Sequence, residues 1–74
     1  MTAQEFLAEL QDIMQRDEAL SFDTILKDLD EWDSLSVLGV AAFLDRCYGI
    51  QVTSEVLKQM KSVRDIATAA GLHE

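Results

Sequence analysis

The segment "DSLSVLGVAAFLDRCYG" (residues 33–49) decides the fold of this chain, because it carries signals for both ends of one long helix. Asp33 is a favourable N-cap, and Gly49 is a typical residue just past a helix C-terminus. The apolar spacing between them predicts a helix that begins at Ser34 and ends near Tyr48. The other elements are predicted outward from this helix.

The predicted helix has two apolar sides. At about 100° per residue, one side gathers residues expected to face a core, namely Val37, Val40, Leu44, Cys47 and Tyr48, with Ala41 and Phe43 beside them. The opposite side gathers Leu35, Leu38, Gly39, Ala42, Asp45 and Arg46. This second side is less polar than an ordinary solvent-exposed face, which indicates a contact surface. The position of Cys47 predicts a buried, unreactive thiol.

Toward the N-terminus, Thr2 and Glu5 form a capping-box pattern that begins another helix. Its apolar stripe ends near Gln15 or Arg16 and consists of Phe6, Leu10, Ile13 and Met14, widened by Leu7. Residues 17–33 are predicted to form a long loop with a short helical turn at 23–28. Its apolar residues are expected to anchor it to the bundle: Leu20, Phe22, Ile25, Leu26 and Leu29. A loop of this length inside a compact domain is usually functional.

Toward the C-terminus, residues 50–52 are predicted to cross in an extended conformation. Thr53 caps a brief helix through about Gln59, whose inward residues are expected to be Val56, Leu57 and Met60. Ser62 and Asp65 resemble a second capping box, and Gly71 ends the last helix. The prediction is an all-α fold in one domain, residues 1–74. It is a small four-helix bundle, three main helices plus one short helix, with the long loop between the first and second helices.

The composition supports this fold and restricts the partners. The chain has 74 residues, no proline and three glycines, which favours helices over strands and turns. The net charge is −8, and the excess lies before Ser34, where ten acids face two cations. This charge repels nucleic acid and attracts basic protein surfaces. No apolar run is long enough for a membrane span, so we expect a cytoplasmic monomer.

The sequence lacks the residues that an enzymatic site or a metal site requires. A serine hydrolase needs a base, and the one histidine, His73, lies beside the C-terminus. One cysteine and one histidine cannot fill a zinc site. The run "DLDEWD" (residues 28–33) lacks the glycine and the glutamate that a calcium loop has at its sixth and twelfth positions. The sequence therefore predicts a protein that is not an enzyme and holds no metal.

Ser34 remains as a candidate site because it opens a helix. Free backbone N–H groups and the helix dipole favour a phosphate attached there. Asp33 opposes added negative charge, so a phosphodiester suits this position better than a phosphomonoester. Position alone leaves a second interpretation open, in which Ser34 and Ser36 are simply polar residues at a helix start.

At these residues the sequence resembles the acyl carrier proteins and the related peptidyl carrier domains. "DSL" at residues 33–35 is similar to their attachment signature. The resemblance extends over nearly the whole chain: a capped first helix, an acidic loop rich in leucine, the crossing "GIQV" (49–52) and a last helix similar to "SVRDIATAAG" (62–71).

The resemblance implies that Ser34 receives a 4′-phosphopantetheine arm from coenzyme A, with Asp33 and Leu35 as motif neighbours. A Mg²⁺-dependent phosphopantetheinyl transferase (holo-carrier synthase) attaches the arm. The arm carries an acyl thioester to acyl-transfer or condensing enzymes of fatty acid, polyketide or related biosynthesis. By position in the family, the contacts to these partners are Leu35, Leu38, Gly39, Ala42, Asp45 and Arg46.

The sequence also departs from the common bacterial fatty-acid carriers. Arg46 occupies a helix face that is dense in acids in those carriers, and Trp32 before the motif is unlike them. Both features indicate a specialised carrier, although Trp32 is also expected to pack the loop against the bundle. Two alternatives stay open at this point: an aminoacyl or peptidyl carrier, and a helical interaction module that never receives the arm.

Overall fold

The computed structural model describes residues 2–72, and within this range the chain forms four α-helices. These are α1 (Ala3–Met14), α2 (Ser34–Tyr48), α3 (Ser54–Lys58) and α4 (Val63–Ala69), with a 3₁₀ turn at Leu26–Asp28 in the long loop. The predicted all-α class and small helical bundle are confirmed. No helix in this part of the chain is both long and apolar enough to cross a membrane.

Local capping sets the ends of the helices. In α1 the Thr2 hydroxyl accepts from the Glu5 N–H at 3.1 Å, and the Glu5 carboxylate accepts from the Thr2 N–H at 3.1 Å. The backbone hydrogen bond from Thr2, together with its side-chain hydrogen bond, lowers the pKa of Glu5. Gln15 ends the helix in the left-handed conformation, with φ 54°. The predicted capping box and the predicted end of α1 are both confirmed.

The loop of residues 17–33 is anchored as predicted at most of its apolar positions. Leu20, Leu26 and Leu29 are buried, and Phe22 packs partly buried against the core. The expectation for Ile25 is wrong, because 39% of this residue stays exposed. Leu26 takes the inward position of the turn, so the Ile25 side chain points away from the core.

Three backbone hydrogen bonds tie this loop to the start of α4. The Leu26 N–H donates to the Lys61 carbonyl at 2.9 Å. In the other direction, the Val63 N–H donates to the Thr24 carbonyl at 3.0 Å, and the Arg64 N–H donates to the Phe22 carbonyl at 2.9 Å. Backbone bonds of this kind satisfy polar groups that would otherwise be buried unpaired. The loop is therefore part of the folded framework.

The core is a continuous cluster of apolar side chains from all four helices and the loop. An aromatic trio lies within it: the ring centroids of Phe6, Phe43 and Tyr48 are 5.9–6.1 Å apart. Burial of the Tyr48 hydroxyl is the main reason why its pKa is raised above the ordinary value for tyrosine. Such tilted and edge-on ring pairs add to the stabilisation from burial.

Two predicted core positions are corrected by the structure. Cys47 is exposed, although it lies one turn after buried Leu44, and the neighbouring Tyr48 is the residue of this last turn that packs on the core. Val56 is also exposed, because α3 is little more than one turn long and Leu57 is its fully buried residue. A helical wheel gives the direction of a side chain but not the place where the neighbouring element ends.

Candidate functional site

The start of α2 presents Ser34 to solvent. Asp33 is the N-cap, as predicted, and its Oδ1 accepts from the Ser36 N–H at 2.9 Å. Ser34 is the first residue of the helix and is exposed. Among residues 2–72, no side-chain hydrogen bond involves its hydroxyl. A group attached to this oxygen would therefore break no hydrogen bond of the fold.

The neighbouring Ser36 has a different role. It is 6% exposed, and its Oγ donates to the Glu31 carbonyl at 2.6 Å. The same carbonyl accepts from the Asp33 N–H at 2.9 Å. Ser36 thus ties the end of the loop to the first turn of α2. The side chain of Ser36 is therefore buried and hydrogen-bonded, whereas that of Ser34 is exposed.

An ion pair holds the loop just before this turn. Arg16 Nη1 lies 2.8 Å from Glu31 Oε1, and Arg16 Nη2 lies 3.2 Å from Glu18 Oε2. The Nε of Arg16 is buried and has no hydrogen-bond partner among the described residues. Its guanidinium charge is therefore offset through the two terminal nitrogens. The pair links the end of α1 to the segment that leads into Ser34.

The sequence reasoning did not identify Arg16 and Glu31 as part of the site. One signal was available, because Arg16 is one of two cations among the ten acids that precede Ser34. An isolated arginine in an acidic segment has many possible carboxylate partners. The choice of Glu31 depends on how the loop folds back on α1.

Replacing Glu31 with Gln is expected to lower the free energy of unfolding by about 1 kcal/mol, because a partly buried guanidinium loses its charged partner. Urea denaturation would measure this loss. Glu18→Gln is the matched control, because the Glu18 side chain is 82% exposed. It should change the free energy of unfolding by less than about 0.5 kcal/mol. Equal losses in the two variants would contradict a special role for the Glu31 pair.

The side of α2 that was predicted to contact partners is largely exposed. Leu35 is 79% and Leu38 is 59% exposed, so neither side chain belongs to the buried core. Ala42, Asp45 and Arg46 are exposed on the same side. We call these five residues the α2 face. An exposed apolar pair of this size beside Ser34 is typical of a surface that binds another protein.

Gly39, the sixth predicted contact residue, is placed elsewhere. It is half-buried, and a Cβ at this position would lie 2.7 Å from Ile13 Cγ2. Gly39 therefore faces α1, where the two helices approach closely. Trp32 is also partly buried and packs against the core, as the packing interpretation expected. His73 lies outside the described residues.

Comparison with known proteins gives one match. The family model described as "Phosphopantetheine attachment site" matches residues 4–70. No significant match was found among curated proteins or among solved structures. The matched range contains α2, α3, α4 and all of α1 except its first residue, together with the exposed serine at the start of α2.

Proposed function

The chain belongs to the phosphopantetheine attachment site family, whose domains carry a covalent 4′-phosphopantetheine, and from this premise we propose that it is an acyl carrier protein with the arm on Ser34. The observation that carries this assignment is the exposed hydroxyl of Ser34 in the first turn of α2, unengaged by any hydrogen bond among residues 2–72. The neighbouring Ser36 is buried and hydrogen-bonded, which leaves Ser34 as the accessible hydroxyl of this turn.

The residues around Ser34 fit a phosphodiester. The first turn of α2 offers backbone N–H groups and the positive end of the helix dipole. The Asp33 carboxylate is already engaged with the Ser36 N–H, and a phosphodiester adds one negative charge beside it. When bound, the arm supplies a thiol that holds the cargo as a thioester. The chain itself positions the attachment oxygen and keeps it open to solvent.

The α2 face is proposed as the docking surface for the transferase and for the enzymes that use the cargo. Leu35 follows Ser34 directly, so a protein that reaches the attachment oxygen also meets this side chain. Burying a fully exposed leucine contributes about 1.5–3 kcal/mol. Asp45 and Arg46 add opposite charges at the far end of the face, which favour one orientation of a partner. Gly39 is not part of this proposed surface.

The proposed cargo is an acyl group of fatty acid, polyketide or related biosynthesis, on the basis of the resemblance to acyl carriers. We propose that the chain does no chemistry of its own. No histidine occurs among residues 2–72 to act as a base for Ser34. The domain presents the tethered cargo at high local concentration to enzymes that dock briefly.

Incubation with coenzyme A, Mg²⁺ and a broad-specificity phosphopantetheinyl transferase tests the carrier function. Intact-mass analysis is expected to show the mass of one arm added, and peptide mapping is expected to place it on Ser34. Incubation without coenzyme A is the control. If several such transferases leave the mass unchanged, the helical interaction module becomes the better interpretation.

A further inference from the structure

Apart from the α2 face, the molecule has a surface that is rich in lysine, although the chain as a whole is acidic. A groove of about 530 Å³ lies between the long loop and the end of α3. We call it the lysine groove, and its lining residues are Ile25, Lys27, Asp28, Lys58, Gln59, Met60 and Lys61. None of these residues belongs to the α2 face.

The two walls of the lysine groove are held together by main-chain contacts. The Leu26 N–H donates to the Lys61 carbonyl at 2.9 Å, and Ile25 forms an antiparallel bridge with Ser62. These contacts fix the backbone of both walls, although long lysine side chains line the groove. A backbone that is already ordered loses less conformational entropy when a partner binds.

The lysines of the groove form no ion pair within the part of the chain that the structure describes. Two of the six cations of the chain, Arg16 and Arg64, form ion pairs with carboxylates. Within residues 2–72, no ion pair involves Lys27, Lys58 or Lys61, although the chain has fourteen acids. Among the described residues, Asp28 is the acid that lines the groove. The groove thus combines three cations with one acid.

The groove also offers an apolar contact. Ile25 is exposed while Leu26, its neighbour, is fully buried. Met60 lines the same groove and is half-buried. An apolar contact surrounded by ammonium groups fits a large apolar side chain flanked by carboxylates. A volume of this size lies in the lower part of the range that is usual for binding pockets.

We propose that the lysine groove docks an acidic segment of a partner protein, with an apolar side chain on Ile25 and Met60 and carboxylates on the three lysines. The other possible occupants fit less well, because a nucleic acid has no apolar side chain to place on Ile25 and Met60, and a second copy of the chain would bring its whole net charge of −8 against the first. At physiological salt, charges act over about 8 Å, so the acids of the partner must be clustered at the groove.

This surface extends the proposed carrier function, because it places a cluster of cations on a chain whose net charge is −8. Acidic surface elsewhere on the chain attracts cations of a partner, and the lysine groove attracts acids. A partner that matches both has one favoured orientation, because charge pairing of this kind sets the register of an interface.

An NMR titration tests the lysine groove directly. The probe is the peptide acetyl-Glu-Glu-Leu-Phe-Glu-Glu-amide, added to ¹⁵N-labelled protein that has not been loaded. Amide shifts are expected at residues 25–28 and 58–61, with weak affinity. The same peptide with serine in place of leucine and phenylalanine should bind several-fold more weakly. The experiment does not involve Ser34, so its failure is distinct from failure of the carrier function.

Matched variants make the test specific. Replacing all three lysines with Gln is expected to weaken peptide binding about tenfold, as the loss of three exposed charge contacts implies. Lys58→Glu should weaken it several-fold. Arg46→Glu, an equal charge change on another exposed helix position, should weaken it less than about twofold. Circular dichroism confirms that each variant is folded.

Several results would overturn the proposal. The first is that no amide shift occurs at about millimolar peptide, and the second is that the shifts lie outside the groove. The third is that Lys58→Glu and Arg46→Glu weaken peptide binding equally. Two further results would assign the surface to another occupant: equivalent shifts with a single-stranded oligonucleotide, or shifts at these residues that depend on protein concentration alone.

Discussion

Ser34→Ala is expected to abolish loading by the transferase and coenzyme A completely, with no mass gain after prolonged incubation. Under the proposed function the variant lacks the oxygen that would attack the phosphate of coenzyme A, and the neighbouring Ser36 hydroxyl is buried and hydrogen-bonded. The free energy of unfolding should change by less than about 0.5 kcal/mol, because Ser34 is exposed and its hydroxyl bonds nothing among the described residues. Intact-mass analysis and urea denaturation measure the two effects separately.

Ser36→Ala is the matched control, and the opposite outcome is expected. The variant should still be loaded, but it should lose about 1 kcal/mol of stability, because the hydrogen bond from Ser36 Oγ to the Glu31 carbonyl disappears. The two serines are two positions apart on the same helix, so an effect of general helix damage would appear in both variants. Loading of Ser34→Ala, or a stability loss in that variant alone, contradicts the assignment of the attachment oxygen.

The helix boundaries could be predicted from the sequence because their signals are local. Asp33 and Gly49 cap α2 through contacts with residues of the same helix, and Thr2 with Glu5 does the same for α1. Such contacts form wherever the pattern occurs, whatever the rest of the chain does. The same local signals predicted that Ser34 opens α2, whereas its proposed role as the attachment residue came from the resemblance of "DSL" to the carrier family.

The errors concern positions where a distant element decides the outcome. Cys47 and Val56 have apolar-side spacing but are exposed, and Ile25 is exposed beside buried Leu26. Gly39 was predicted to contact partners by its position in the family, and in the structure a Cβ at this position would meet Ile13 of α1. The packing of one element on another is set by the whole fold, so the spacing of residues within one helix could not reveal it.

Gly39→Val is expected to lower the free energy of unfolding by about 2 kcal/mol, because there is no room for a side chain between α1 and α2. A Cβ at Gly39 would lie 2.7 Å from Ile13 Cγ2, well inside van der Waals contact. Ile13 is β-branched and lies in a helix, so its χ1 rotamer cannot easily change to relieve the clash. The helix propensity of valine exceeds that of glycine by only a few tenths of a kcal/mol, too little to offset the overpacking. Urea denaturation would measure the loss.

Two further variants separate packing from docking at Gly39. Ala42→Val adds the same side chain at an exposed position of α2 and should change the free energy of unfolding by about 0.5 kcal/mol. In an Ile13→Ala background, the Cγ2 methyl is absent, so Gly39→Val should cost much less than it does in the parent chain. This interaction energy is the signature of a direct contact between the two positions. If Gly39→Val instead keeps full stability and weakens transferase binding, Gly39 belongs to the docking surface and the close helix approach does not govern this position.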